Sequence, residues 1–370
     1  MIIDDPLSLA WTIIALTSIS IASYSLTLYI NIRRLFFKKR PSVKELFIYP
    51  IKSCGEIPLS SAKVTPIGFE HDRIFQVVSE VDNQDSPLAP GWSYCTPREK
   101  RFEKLFHVKP ALIGNGNSTA LNLTSPHVKD AFTLKFGKHL SKFGSMVISS
   151  MYTTIMGGGS ALLEDCGSDL SKWLEKATDI RGCRLVGISE VFSRRVQVND
   201  DQGDAIPMIH EGHPGSFRPP VSLADEAPFL LTTSTSLADL NKRLGRGNQI
   251  DMRRFRPNIV IDGLNPWEED SLKRVRIGSV EFHVWQRCGR CTMTTIDRDT
   301  LERCGEPLKM LSKFRERENG QRNFGMHLIP ARPWDLLKNE ERISVGDEVE
   351  ILEYDEERRA EWMKLFGKKM

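Results

Sequence analysis

The sequence predicts a β-rich α+β protein, and three observations predict it. Short runs that alternate apolar and polar residues recur along most of the chain, Val280–Trp285 being the clearest. Only a few stretches carry helical spacing: Gly167–Lys176, Ser234–Leu244 and about Pro307 to Arg315. Segments rich in Asp, Asn, Gly and Pro separate these runs and read as surface connections. A hydrophobic content of 40% and a charged content of 27% over 370 residues give an ordinary globular balance, with chain enough for two domains. The net charge of +3 is too small to argue for a nucleic-acid partner. Seven scattered cysteines do not form a secreted disulfide framework and point to a reducing compartment.

From Pro6 to Ile32 no residue is charged, a run long enough to span a hydrocarbon core with some tilt. Asp4 and Asp5 precede it, whereas Arg33, Arg34, Lys38, Lys39 and Arg40 follow. That order is the reverse of a secretory signal. The positive-inside rule places the C-terminal bulk in the cytosol, so residues 1–40 read as a single-pass anchor with a basic flank.

Val43–Ile48 and Ile74–Val78 read as strands, with Tyr49-Pro-Ile-Lys-Ser-Cys54 between them exposing Lys52 and Ser53 at a turn. Lys52, Ser53 and Arg73 supply a point charge, a hydroxyl and a forked donor, the set that holds a phosphate. Any one of them alone is more commonly a solvated surface residue. Alternation continues around Leu121–Leu123, Phe132–Phe136 and Ser145–Ser150. Gly157–Gly159 is a loop tip and not a phosphate loop, because no Gly-Lys-Ser/Thr follows it. Asn199–Pro220 reads as a long loop at a domain joint, and its His210 and His213 lack a third ligand nearby. Ser234–Leu244 carries an apolar stripe at Leu237, Leu240 and Leu244 and ends at Gly245. Arg253, Arg254 and Arg256 crowd before a strand at Asn258–Ile261, and Pro257 stiffens the segment presenting Arg256 and Asn258.

Cys288-Gly-Arg-Cys291 lies where the Val280 strand gives way to a loop, and Thr292–Ile296 is β-prone and expected to lead into another strand. Arg290 favours a thiolate at this turn, and a positioned soft thiolate suits a soft metal. Simple burial, a structural zinc site built on Cys288, Cys291 and Cys304 that still lacks a fourth ligand, and a redox pair are the alternatives. Asn323–Ile329 and Val345–Leu352 read as closing strands, and residues 353–370 as a charged, partly helical, solvated tail.

Taken together and in order, several pieces resemble the MOSC-domain family, whose name refers to the C-terminal region of molybdenum-cofactor sulfurases. They are Tyr49–Cys54, Asp72-Arg73, Asp165-Cys-Gly with Trp173, Pro228-Phe-Leu, Ser236–Asn241, Phe255–Val260 and Cys288–Asp297. With the anchor, the likeness is to the mitochondrial amidoxime-reducing branch of that family. The resemblance implies a MOSC-type β-barrel domain at 186–352 packed with an N-terminal β-rich domain at 41–185, the molybdenum cofactor lying between them. It implies that Cys291 is the metal ligand, with Cys288 supporting. Lys52, Ser53, Arg73, Arg256, Asn258 and Arg290 would contact the cofactor, and Asp225 would handle substrate or protons. The implied activity is reduction of N-hydroxylated substrates such as amidoximes, hydroxylamines and N-oxides, with nitrite as a further substrate the resemblance implies. Electrons would come from a b-type cytochrome and its NADH-dependent reductase, since the chain has no flavin, dinucleotide or ferredoxin fingerprint of its own. The implied location is the mitochondrial outer membrane, with the endoplasmic reticulum as alternative. A rival reading is a non-catalytic cofactor or sulfur carrier. The chain departs from the family pattern in having Arg298 after Asp297, and Glu226 beside Asp225.

Overall fold

In the computed structural model the alternating runs pair, among the described residues, into four sheets, the largest of them eight-stranded. The structure describes residues 40–80, 91–114, 119–136, 146–148, 161–188, 194, 220–317, 320–331 and 341–367. From Pro41 onward the chain forms one compact unit.

The large sheet runs in the order Val349–Tyr354, Leu272–Ile277, Val280–Gly289, Asn323–Pro330, Phe229–Thr233, Ile259–Asp262, Ser42–Ile48, Ile57–Leu59. Its one parallel pair joins Phe229–Thr233 to Ile259–Asp262, and the intervening helix Ser234–Leu244 supplies the crossover such a pair needs. Thr233 caps that helix, its Oγ1 accepting from the Ser236 amide at 3.1 Å. A five-stranded sheet, in the order Met146–Ile148, Ala161–Asp165, Arg184–Ile188, Phe75–Glu80, Trp92–Tyr94, builds the N-terminal half, with two three-stranded sheets beside it. The result is a β-rich α+β fold. The sheets do not divide at residue 185: Ser42–Ile48 and Ile57–Leu59 pair into the sheet made otherwise of strands after residue 228. The first strand therefore carries the Lys52–Ser53 turn to the C-terminal half of the chain.

The main core packs Leu46, Ile48, Phe69, Phe229, Ile259, Phe282 and Leu328. A second core on the other side of the large sheet gathers Tyr49, Phe255, Trp267, Phe324 and Trp362. Phe255 and Phe324 stack there with ring centroids 3.8 Å apart.

Three expectations are corrected. Thr292–Ile296 does not enter a strand; Thr292–Thr295 is a 3₁₀ turn. The threonine hydroxyls close it locally, Thr294 donating to the Cys291 carbonyl at 2.9 Å and Thr295 to that of Thr292 at 2.7 Å. The last strand begins at Val349 rather than Val345, because Gly346 turns the chain at φ 96°. The charged tail is not a solvated appendage: Glu356–Phe366 is a helix that buries Trp362 in the second core and donates its indole N–H to Pro266 at 3.0 Å.

Among the described residues no helix is long and apolar enough to cross a membrane. The anchor run Pro6–Ile32, Gly157–Gly159, His210 and His213 lie outside them.

Candidate functional site

All eight residues singled out in the sequence line one cavity of about 670 Å³. Lys52 and Ser53 come from the turn after the first strand, Arg73 from the turn before Phe75–Glu80, and Asp225 from the approach to Phe229–Thr233. Arg256 and Asn258 enter Ile259–Asp262, while Arg290 and Cys291 leave Val280–Gly289. Three of these turns have backbone that only special context sustains: Ser53, Arg73 and Arg256 sit at φ 71°, 50° and 54°. A left-handed non-glycine residue costs about 1–3 kcal/mol, and such strain gathers where it positions a side chain for function.

Around Tyr49 these turns form a stack. Two guanidiniums lie over the buried phenol ring, Arg73 at 4.8 Å and Arg256 at 4.2 Å from its centroid. Burial pushes the Tyr49 hydroxyl up to about 12, against the lowering effect of Arg256 and Arg298, so it stays neutral. Asn258 holds the assembly together from behind. Its Oδ1 accepts from Arg73 Nη1 and the Leu230 amide, both at 3.1 Å, and its Nδ2 donates to Asp72 Oδ2 at 3.0 Å and Phe47 O at 3.3 Å. The amide is thereby fully used within the protein, and Asn258 acts on the cavity through Arg73.

An anion would suit this place. Burial, then the neighbouring charges of Arg298 and Arg73, pull Arg256 down to about 9. A guanidinium keeps its proton under ordinary conditions, so this pull is a destabilisation that a bound anion relieves. Arg290 and Arg298 each also have a buried Nε without a hydrogen-bond partner. A phosphate-bearing pterin fits such a donor set, and a thiolate ligand fits its neighbour, half-buried Cys291.

Asp225 faces Lys52, Oδ1 to Nζ 2.5 Å, and its carboxyl is half-exposed to the cavity. Burial would raise its pKa, but the Lys52 ammonium outweighs burial and holds the carboxyl well below the usual range. Arg194 fixes the loop from beneath, donating to the carbonyls of Ser222 at 2.7 Å and Ala224 at 2.6 Å.

The two cysteines differ. Arg290 touches Cys288, Nη1 to Sγ 2.7 Å, and its Nη2 donates to Phe255 O at 2.5 Å. Burial would raise the Cys288 thiol, yet Arg290 and then His327 bring it below its ordinary value. A double irregularity in the strand register, between Val284 and Arg287 and again between Arg287 and Gly289, ends the alternation and buries Arg287 and Cys288 in succession. Cys304 does not complete a metal set with them: among the described residues no three His, Cys, Asp or Glu side chains are placed to hold an ion.

Sequence reasoning missed Tyr49, Arg194, Arg298 and His327. Tyr49 belongs to the motif that drew attention to Lys52, and Arg298 to a departure noticed for its identity only. Arg298 is buried, paired with Glu56 Oε2 at 2.8 Å, and donates to Cys54 O at 3.2 Å. Arg194 and His327 carried no local signal.

A cation-lined cavity with a cysteine in its wall, set in a β-rich fold, is a site whose charge suits an anionic ligand. Two family models match the chain, MOSC N-terminal beta barrel domain over residues 40–177 and MOSC domain over residues 218–350, and the chain belongs to the MOSC-domain family. It is similar to mitochondrial amidoxime-reducing component 1 of Homo sapiens, 28% identical over 329 residues that cover 86% of each chain. It is also similar to molybdenum cofactor sulfurase of Danio rerio, 29% identical over 298 residues. That match covers 78% of this chain but 32% of the sulfurase. YiiM from Geobacillus stearothermophilus aligns with a TM-score of 0.26 and 14% identity, over 41% of this chain and 74% of that one.

Proposed function

We propose that this protein binds the molybdenum cofactor and reduces N-hydroxylated compounds. The single observation that carries the reading is the buried cation cluster: Arg256, Arg73 and Arg298 crowd beside a cavity whose wall includes Cys291. A molybdenum centre, when bound, supplies two-electron redox chemistry. Cys291 would hold the metal, and Lys52, Ser53, Arg73, Arg256 and Arg290 the anionic part of the cofactor, Asn258 steadying Arg73. The name of the sulfurase relative supports a function related to this cofactor, and that of the human relative supports amidoxime reduction and a mitochondrial setting.

Asp225 has a definite part in this reading. Held ionised by Lys52, it is suited to accept a hydrogen bond from the substrate's N–H or O–H and to orient it. The uncharged segment Pro6–Ile32 anchors the protein to the mitochondrial outer membrane, where a b-type cytochrome and its NADH-dependent reductase share the surface.

The sulfurase match favours a second reading, a cofactor or sulfur carrier without turnover. Molybdenum content of the purified protein, read beside benzamidoxime reduction by a reduced viologen dye, separates the two. Near-stoichiometric molybdenum with turnover is expected. Molybdenum without turnover would leave the carrier, and protein that takes up no molybdenum would overturn both.

A further inference from the structure

Reduction of an amidoxime consumes two protons with its two electrons, and Asp225, ionised by Lys52, is poorly placed to donate them. A second pair of side chains reaches the same cavity. His327 lies mid-way along Asn323–Pro330, between Met326 and Leu328, which point into the main core; its own ring therefore faces the other way, into the cavity lining. The residue is 6% exposed, and its imidazole is engaged by the Cys288 sulfur and the Glu226 carboxylate. Its Nε2 is 3.2 Å from Glu226 Oε2, close enough to exchange a proton. The Glu226 side chain is 35% exposed and accepts from Gln286 Nε2 at 3.3 Å. Glu226 thus touches solvent at one end and a sealed imidazole at the other.

We propose that Glu226 and His327 are the proton entry to this cavity, Glu226 collecting protons from solvent and His327 delivering them to the N-hydroxylated substrate. The inference rests on the reductase reading above. In the step served, the N–O bond breaks, one proton joins nitrogen and one joins oxygen, which leaves as water. The two electrons come from the external donor, a cytochrome or a reduced dye, and His327 is recharged through Glu226 between deliveries. The amidine formed is a stronger base than imidazole, so a weakly acidic donor suffices. The groups facing His327 favour its charged form. Burial alone would strip the proton, but Cys288 and then Glu226 outweigh it and push the imidazole up to about 10. Arg290 opposes them only indirectly, being engaged with the Cys288 sulfur, and Asp225 is engaged with Lys52.

The test uses the full chain loaded with cofactor, as parent, Glu226→Gln, Glu226→Asp and His327→Gln. Glu226 is partly exposed, so its variants keep the question open should His327→Gln fail to fold. Each is assayed for kcat against pH with benzamidoxime and a reduced viologen dye, for molybdenum content, and for the His327 ring signals by NMR. Glu226→Gln is expected to lower kcat by about 10- to 100-fold and to bring the alkaline fall in rate to lower pH. Its molybdenum content should match the parent's, and Glu226→Asp should restore most of the rate. In the parent the His327 ring should be protonated at neutral pH, with a titration midpoint that drops in Glu226→Gln. A ring that is neutral at neutral pH, or a Glu226→Gln protein with the parent's rate and profile, overturns the relay alone. A molybdenum-loaded parent that reduces nothing overturns the reductase reading, and the relay with it.

Discussion

Asn258→Ala tests whether the cation stack is held by protein hydrogen bonds. The substitution deletes contacts to Arg73, Leu230, Phe47 and Asp72. Arg73 and Asp72 keep each other, and Arg73 Nη2 keeps the Arg256 carbonyl at 3.0 Å. The Leu230 amide and the Phe47 carbonyl lose a side-chain partner inside the core, at about 1–3 kcal/mol each. We therefore expect a loss of about 4 kcal/mol, read as a lower urea midpoint with unchanged slope. Asn258→Asp gives the control of sign. It sets a carboxyl where Nδ2 now lies 3.0 Å from Asp72 Oδ2, so two acids share one place. The new acid's pKa is raised in the folded state, and the variant should gain stability relative to the parent as pH falls and a proton bridges the pair. A loss below about 1 kcal/mol for Asn258→Ala, or an Asn258→Asp protein indifferent to pH, would refute the assignment of Asn258 as the support of Arg73.

Arg256→Met should leave the cofactor-free protein at least as stable as the parent, because a buried cation beside Arg298 and Arg73 is removed, while molybdenum content falls at least about tenfold. A cofactor-free variant markedly less stable than the parent would contradict the reading. Trp362→Ala should cost about 3–5 kcal/mol by chemical denaturation, since the indole is buried in the second core; a change below about 1 kcal/mol would mean that the C-terminal helix is not docked. Glu269 supplies a pH test. Burial first, then the Asp270 charge, raise its carboxyl from 4.5 to about 7. The folded state thus holds a proton that the unfolded state releases, and this stabilising contribution is present at low pH and lost as pH rises through about 7. Glu269→Gln should flatten that decline and be more stable than the parent by about 1–3 kcal/mol at pH 8; equal slopes in the two proteins would count against it.

Much of the fold could be read from period-two alternation. Val43–Ile48, Asn323–Ile329 and the start of the Val280 strand lie within a residue or two of their observed bounds. The failures have local causes. Hydroxyls that bond backward onto carbonyls made a turn of Thr292–Thr295, although threonine favours strands. In Glu356–Phe366 a single tryptophan anchors a helix whose other side chains are mostly charged, so no apolar stripe announced it. Its Glu361 also reaches back to buried Arg287 at 2.6 Å, a pairing 74 positions apart that local sequence does not show.

In the site, chemical type was legible and conformation was not. Lys52, Ser53, Arg73, Asp225, Arg256, Asn258, Arg290 and Cys291 do share one cavity. Yet nothing in a serine or arginine signals positive φ, which at Ser53, Arg73 and Arg256 is imposed by surrounding packing. Asn258 was read as a ligand contact, whereas its hydrogen bonds all end on protein. Arg290 was read as a neighbour of a thiolate at the turn; the register irregularity before it directs it to Cys288.

The central claim, that Cys291 holds molybdenum within this cavity, is tested most directly by molybdenum per chain in the parent, Cys291→Ser and Cys288→Ser, with metal–sulfur coordination read by X-ray absorption. Near-stoichiometric metal is expected in the parent and in Cys288→Ser, and loss of the metal or of one protein sulfur ligand in Cys291→Ser. Full metal and an unchanged sulfur shell in Cys291→Ser would contradict it.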